Sequence, residues 1–304
     1  MSAVRLSRLS LAAITLVAAG LSASAYATKP RAPGIDLNTP EGAWLAARKM
    51  QCSTVDGEPS IFWFHGEAFS HVPGERDRKL FNVQGMNVRA CATVTDPKRG
   101  KGWRLVSREV LFYTDPKTGE LLRKWKNPWT GAEVDVLQTA NDPVNQRPMF
   151  PLGPDNKPMS WDATTVGNNW WLTITVPLFY NNPLGGDYQR YVGGAYHATE
   201  MFNYFGTVDD ITDPKRHTAA IGVGWVRIAS WLPWMEMGDR AGIIYVHAAG
   251  RKLEKFEQLP ELMRQEIETN YPAWKSPPPL DDARPNETSW TYFKKKVAPP
   301  PKGR

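Results

Sequence analysis

From Asn168 to Tyr180 the chain alternates between two faces. Trp170, Leu172, Ile174, Val176, Leu178 and Tyr180 fall on one, and Trp171, Thr173, Thr175, Pro177 and Phe179 on the other. A period of two predicts a strand. Shorter β-rich runs cover Ile61 to Phe69, Lys79 to Thr95, Trp103 to Thr114, Val223 to Trp231 and Ile243 to Ala248. Elsewhere the pattern is helical. Thr39-Pro40-Glu41 reads as N-cap, first-turn proline and early acid of a helix ending near Met50. Leu259 to Asn270, with Pro260 at its start and Pro272 past its end, reads as a second helix. "GAYHATEMFNYF", Gly194 to Phe205, reads as a third, with Ala195, Ala198, Phe202 and Phe205 as its apolar stripe. After Pro277-Pro278-Pro279 the chain reads as extended, apart from Thr288 to Phe293.

One phrase is written twice, twelve residues apart: Asp115-Pro116-x-Thr118-Gly119 and Asn127-Pro128-x-Thr130-Gly131. Asp or Asn, then Pro, then a closing Gly is turn chemistry. Each copy ends one strand and starts the next, so Trp103 to Thr114, Glu120 to Lys126 and Ala132 to Ala140 form a meander. The expected fold is mainly β (β-rich α+β). It is a curved antiparallel meander closing into a barrel-like, lipocalin-like sheet with two or three short helices.

Composition narrows the setting. Arg5 and Arg8, the apolar run Leu9 to Leu21 and Ala25-Tyr26-Ala27 make a cleavable signal peptide over residues 1–27. The apolar run is too short to span a bilayer, so no membrane anchor remains after cleavage. The expected location is periplasmic or secreted. Residues 28–34 read as a flexible mature N-terminus, 35–295 as one β-rich domain and 296–304 as a disordered Pro/Lys tail. The processed chain has 304 − 27 = 277 residues and a net charge of +6 − 2 = +4. Basic and acidic residues are interleaved, so a nucleic-acid partner is not expected. Cys52 and Cys91 form a candidate disulfide in an oxidising compartment. The thirteen Trp are many for this length. Most are ordinary core, and the rest suit the lining of a cavity for a small apolar or aromatic molecule.

On the helical reading, His197, Glu200 and Tyr204 share a face, with Glu200 orienting His197 as a general base and Tyr204 donating a hydrogen bond. The plain alternative is a solvent-facing polar stripe. A metal would need a third ligand such as His247 or His65; no metal and no cofactor is expected. "WLPWMEMGDRAG" gathers Trp231, Trp234, Glu236, Asp239 and Arg240 as ligand-binding candidates, against the alternative of a loop tied by its own ion pair. Asn141 and Asp142 in "NDPVNQ" are turn formers first and mouth-of-barrel candidates second. Arg108 and Glu109 are adjacent in a strand, so one of them faces inward, where a charge needs a partner; Arg108 is the candidate taken. No Gly-rich phosphate loop, G-x-S-x-G elbow, His-Glu-x-x-His or dinucleotide fingerprint is present.

"REVLFYTDPKTGELLRKWKNPWTGAEVDV", "NDPVNQ", "WLPWMEMGDRAGIIYVHAAGRKL" and "NETSWTYFKK" occur in the order of a bacterial family, the domain of unknown function 1838. The chain resembles it over roughly Ile35 to Lys295. The resemblance implies one exported or soluble β-rich domain and no established catalytic residues. Three functions are compatible with the sequence. The first is cofactor-independent acid/base chemistry on a small apolar or aromatic molecule, of isomerase, hydratase or lyase type. The second is a non-catalytic periplasmic binding or carrier module. The third is a carbohydrate-active protein with Glu236 and Asp239 as paired acids. Ligand identity and oligomeric state are left open.

Overall fold

The computed structural model describes residues 34–184, 188 and 191–297. The expected signal peptide, most of the mature N-terminus and the tail beyond residue 297 lie outside the described residues. Among those described there are four α-helices: α1 Pro40–Gln51, α2 Val208–Thr212, α3 Glu261–Asn270 and α4 Ser289–Lys296. Eleven strands accompany them: β1 Ser60–His71, β2 Arg78–Asp96, β3 Gly100–Thr114, β4 Lys124–Lys126, β5 Glu133–Asp135, β6 Thr139–Asn141, β7 Thr164–Val166, β8 Asn169–Tyr180, β9 Tyr196–Thr207, β10 Gly222–Ala229 and β11 Ile243–Leu253. Thr39 caps α1, accepting from the Gly42 N–H, and Thr288 caps α4.

Nine strands form one antiparallel sheet in the order β6-β3-β2-β1-β11-β10-β9-β8-β7. The doubled phrase makes the expected turns. The Asp115 carboxylate accepts from the Lys117 and Thr118 N–H groups at 2.7 and 2.9 Å, and Gly119 closes at φ +76°. The Asn127 side chain repeats this toward Trp129 and Thr130, with Gly131 at φ +74°. Around the second turn, however, β4 and β5 pair only with each other, and β6 returns to β3. The hairpin is drawn off the sheet because Asn127 donates to the Met235 carbonyl at 3.0 Å and Trp125 packs on Trp234.

The expected barrel does not close. Its two edges are the three-residue strands β6 and β7. Asn141 ends β6 and Asp142-Pro143 interrupts the ladder, since Pro has no N–H to give; beyond it the Val144, Gln146 and Met149 N–H groups again donate to the Ser107, Leu105 and Trp103 carbonyls of β3. The sheet is nevertheless strongly curved. β1 and β9 are three strands apart, about 14 Å on a flat sheet at ~4.8 Å per strand. The rings of Phe62 on β1 and Tyr204 on β9 lie only 6.3 Å apart. Gly66 on β1 and Gly250 on β11 stand on the inside of this bend. A Cβ on Gly66 would lie 2.1 Å from the His247 carbonyl oxygen, and one on Gly250 2.0 Å from that of Trp63.

Inward positions, read from the register, are Phe62 and Phe64 on β1, Asn87 and Arg89 on β2, and Glu109, Leu111 and Tyr113 on β3. They continue as Glu200, Phe202 and Tyr204 on β9, Val223, Trp225 and Arg227 on β10, and Val246 and Ala248 on β11. At one end α1 sends Ala46 and Met50 toward Phe62, Tyr204 and Val223. At the other, Trp290 and Phe293 of α4 join Tyr196, Trp225 and Trp231. α3 covers the outer side, where Met263 and Ile267 meet Met86, Val88, Val110 and Phe112.

Candidate functional site

The segment Gly194 to Phe205 is not a helix but most of strand β9. In a strand, residues three apart point to opposite faces. Glu200 and Tyr204 therefore face inward while His197 faces outward, exposed, with its ring against Phe179 at 5.4 Å. The expected His197–Glu200–Tyr204 constellation does not form. The helical reading failed because the inward Glu200 interrupts the alternation Tyr196, Ala198, Phe202, Tyr204. A charge inside a strand hides its period.

Glu200 has another partner. Arg227 lies directly opposite on β10 and donates to the Glu200 carboxylate at 2.7 Å, and its second nitrogen donates to the Tyr196 hydroxyl. From the far wall, Glu109 on β3 faces the same centre. Its carboxylate accepts from the Asn141 amide on β6 at 2.8 Å. Arg89 on β2 lies over the Phe62 ring at 4.4 Å. It donates to the Asn87 and Gln51 side chains, each at 2.6 Å, and meets the Tyr204 phenol. Tyr113 exchanges a hydrogen bond of 2.9 Å with Thr139. Two guanidinium groups, two carboxylates and three phenols thus stand among Phe62, Phe64, Phe202 and Trp225, with the buried Lys252 amine of β11 over the Phe62 ring at 5.5 Å.

Each group is perturbed by its setting. Burial, and next the neighbouring Glu200 charge, raise the Glu109 carboxyl above its ordinary value; the Asn141 hydrogen bond, Arg227 and Arg89 oppose this. Burial works against the Arg227 charge, but Tyr196, Glu200 and Glu109 outweigh it and hold the guanidinium above its usual value. Burial lowers Arg89, with Tyr204 and Glu109 opposing. Burial pushes the Tyr113 phenol up to about 12. The centre is not sealed, since the Glu200 and Arg227 side chains keep 19% and 20% exposure. A cavity of about 540 Å³ lies on the outer side, where α3 residues Leu262, Gln265 and Glu266 face Leu121 and Arg123.

The other candidates are dispersed. Arg108 faces outward, pairs with Asp142 at 2.9 Å and donates to the Ala273 and Ser276 carbonyls; Glu109, its neighbour, is the inward charge. Asp142 is held by Arg108 and Arg284 and ties down the C-terminal segment. Asn141 does reach the inner centre. Trp231 and Trp234 are buried core. Glu236, Asp239 and Arg240 are exposed on the loop after a short 3-10 turn, and among the described residues no ion pair joins Asp239 to Arg240. Cys52 and Cys91 are paired, with Cα atoms 6.0 Å apart, and both are fully buried. His65 and His247 are on the outer face near Glu67. Among the described residues no three His, Cys, Asp or Glu side chains converge to hold a metal, and no helix is long and apolar enough to cross a membrane.

Residues 57–297 match the family described as protein of unknown function (DUF1838). The chain belongs to that family. A search of curated proteins gave no match. The DUF1838 match runs from just before β1 to the end of α4, so it contains the whole sheet and all four central charges, Arg89, Glu109, Glu200 and Arg227. Helix α1, with Gln51, precedes it. Within this DUF1838 chain, sequence reasoning reached Glu200, Tyr204 and Asn141 and passed over Arg89, Arg227, Tyr113 and Tyr196. The available signal was a charge at an inward register position, as in "NVRAC" and "WVRIA".

Proposed function

We propose that the inner face of the curved sheet binds a small molecule with an apolar or aromatic body and moves a proton on it without a cofactor, as an isomerase, hydratase or lyase does. Glu109 is the proton carrier. The observation that carries this reading is the half-buried Glu109, whose carboxyl has a raised pKa and faces two guanidinium groups inside an aromatic surround. In the protonated form Glu109 donates to the substrate atom gaining a proton; in the ionised form it accepts. Arg227, fixed by Glu200 and Tyr196, stabilises negative charge that develops beside it. Phe64, Phe202 and Trp225 supply the apolar seat. The protein works after export, in a compartment where a Cys52–Cys91 bridge persists; the basic-apolar-small N-terminal pattern supports this.

The test is hydrogen–deuterium exchange by NMR on a panel of aryl and alkyl carbonyl compounds in heavy water. The native protein is expected to accelerate exchange of at least one member. Glu109→Gln is expected to lose that acceleration by about 100-fold or more, the lower range for a positioned acid or base. Undiminished exchange by Glu109→Gln would remove the assignment. A second reading, binding without chemistry, is favoured by the mutually satisfied Arg227–Glu200 pair. It predicts ligand-induced quenching of Trp225 fluorescence with no exchange in any member.

A further inference from the structure

The charges at the centre specify more than an apolar seat. Glu200 is committed to Arg227 at 2.7 Å. Arg89 is not committed to a carboxylate: its partners are the neutral Asn87, Gln51 and Tyr204 side chains. Glu109 takes its hydrogen bond from an amide, not from a guanidinium. The second atom of that amide, Asn141 Oδ1, is buried without a hydrogen-bond partner. An amide serves either protonation state of the acid opposite it, donating to a carboxylate or, after rotation, accepting from a carboxylic acid. The charged and titratable groups that face Glu109 are Arg89 from β2, Tyr113 from β3, Glu200 from β9 and Arg227 from β10, with Tyr196 behind Arg227 and Lys252 of β11 beside Arg89.

Resting on the reading of the inner face as a small-molecule site, we propose that the head group it takes is a carboxylate-type monoanion, seated beside Arg89, and that Glu109 takes up one proton from solvent as the anion enters. Immediately around Glu109 two guanidinium groups balance two carboxylates. A further inward basic group, Lys252 on β11, packs on Phe62 with its Nζ held by the Lys49 and Cys52 carbonyls and the Thr218 hydroxyl, and burial, with Arg89 next, lowers its pKa well below the ordinary lysine value. A third negative charge would leave the buried centre in excess, which is costly in a poorly solvated site. Protonating Glu109 restores the balance, because the incoming anion replaces its charge against Arg89. Glu200 cannot serve this way without leaving Arg227 unpaired. The raised Glu109 pKa acts in the same direction.

The probes are 3-phenylpropanoate, its neutral amide and the cationic 3-phenylpropylamine, titrated calorimetrically into the full chain between pH 6 and pH 9. The acid is expected to bind at least tenfold more tightly than the amide at pH 6, and the amine weakest. Uptake of one proton makes the affinity for the acid fall by up to tenfold per pH unit above the titration of Glu109, while that for the amide stays flat. Titration in two buffers of different ionisation enthalpy should return about one proton taken up per acid bound, and none for Glu109→Gln. Arg89→Lys keeps the charge and is expected to keep the preference for the acid. Equal binding of acid and amide overturns the anion specificity while leaving the binding face intact. Tight, pH-independent binding of the acid overturns the proton coupling. If none of the three probes binds, the reading of the face as a site falls and this inference with it.

Discussion

Replacing Arg227 with Met tests whether the curved sheet holds its central charges away from water. Met retains most of the apolar stem and removes the guanidinium. Glu200 then loses a partner at 2.7 Å, and the Tyr196 hydroxyl loses its donor. The cost depends on solvation. A fully exposed pair is worth at most about 1 kcal/mol, whereas removing one member of a buried pair costs about 3–5 kcal/mol. Glu200 and Arg227 are four-fifths withdrawn from solvent, with 19% and 20% exposure, which places the loss near the lower end of the buried range. With about 1 kcal/mol for the orphaned hydroxyl, the total is about 4 kcal/mol. In a chain of this size that lowers Tm by roughly 8–16 °C. Urea unfolding followed by tryptophan fluorescence gives the free energy. The double variant Arg227→Met/Glu200→Gln completes a cycle, and neutralising Glu200 should recover at least half the loss. A cost below about 1 kcal/mol, or strict additivity in the cycle, would mean that water screens the pair and that the walls do not enclose it.

Other perturbations read different parts of the fold. Glu109→Gln should be more stable than the native chain at pH 8 and show no advantage at pH 4. Above its ordinary value of 4.5 the unfolded chain releases the Glu109 proton while the folded chain still holds it, so stability falls as pH rises through that window; pH-dependent thermal melts check the sign. Cys52→Ala/Cys91→Ala should cost about 4 kcal/mol in the chain-entropy relation for a bridge between residues 39 apart, read as a lower guanidinium midpoint that added reductant does not lower further. Gly66→Ala forces a Cβ to within 2.1 Å of the His247 carbonyl oxygen and should cost at least about 2 kcal/mol in urea unfolding; a native-like midpoint would contradict the tight bend between β1 and β11.

Strand β8 was legible because one of its faces is continuously apolar, and the other long strands because their runs are rich in β-branched and aromatic residues. The strand expected over Asn168 to Tyr180 is β8 almost to the residue, and Thr39 and Pro40 start α1 where the cap chemistry placed it. The paired turns were legible because Asp115, Asn127, Gly119 and Gly131 act locally. What the hairpin around the second of them packs against was not, since the bond from Asn127 to Met235 spans 108 residues. The strand β9 was read as a helix because Glu200 occupies a position where alternation demands an apolar residue. Arg89 and Arg227 were passed over for the related reason that a single charge in a β-rich run looks like an outward residue. Only the pairing of β10 with β9 and β11, and the curvature that brings β3 across, turns these isolated charges into one cluster.

That cluster is hard to account for as a stabilising device. Well-packed apolar residues in the place of a buried ion pair are often as stable or more so. The inner face already carries Phe62, Phe64, Phe202 and Trp225, which meet in pairs at ring separations of 5.0 to 6.3 Å with Tyr204 among them. A purely structural interior would have continued that pattern through positions 89, 109, 200 and 227. Instead four charges converge from β2, β3, β9 and β10. Neither α1 nor α4 covers Glu200 and Arg227 fully, so a ligand can approach. Departures from local consistency that have no stabilising return concentrate at functional sites. On that argument the centre around Glu109 and Arg89, rather than the exposed His197 or the loop of Glu236 and Asp239, is where mutagenesis should begin.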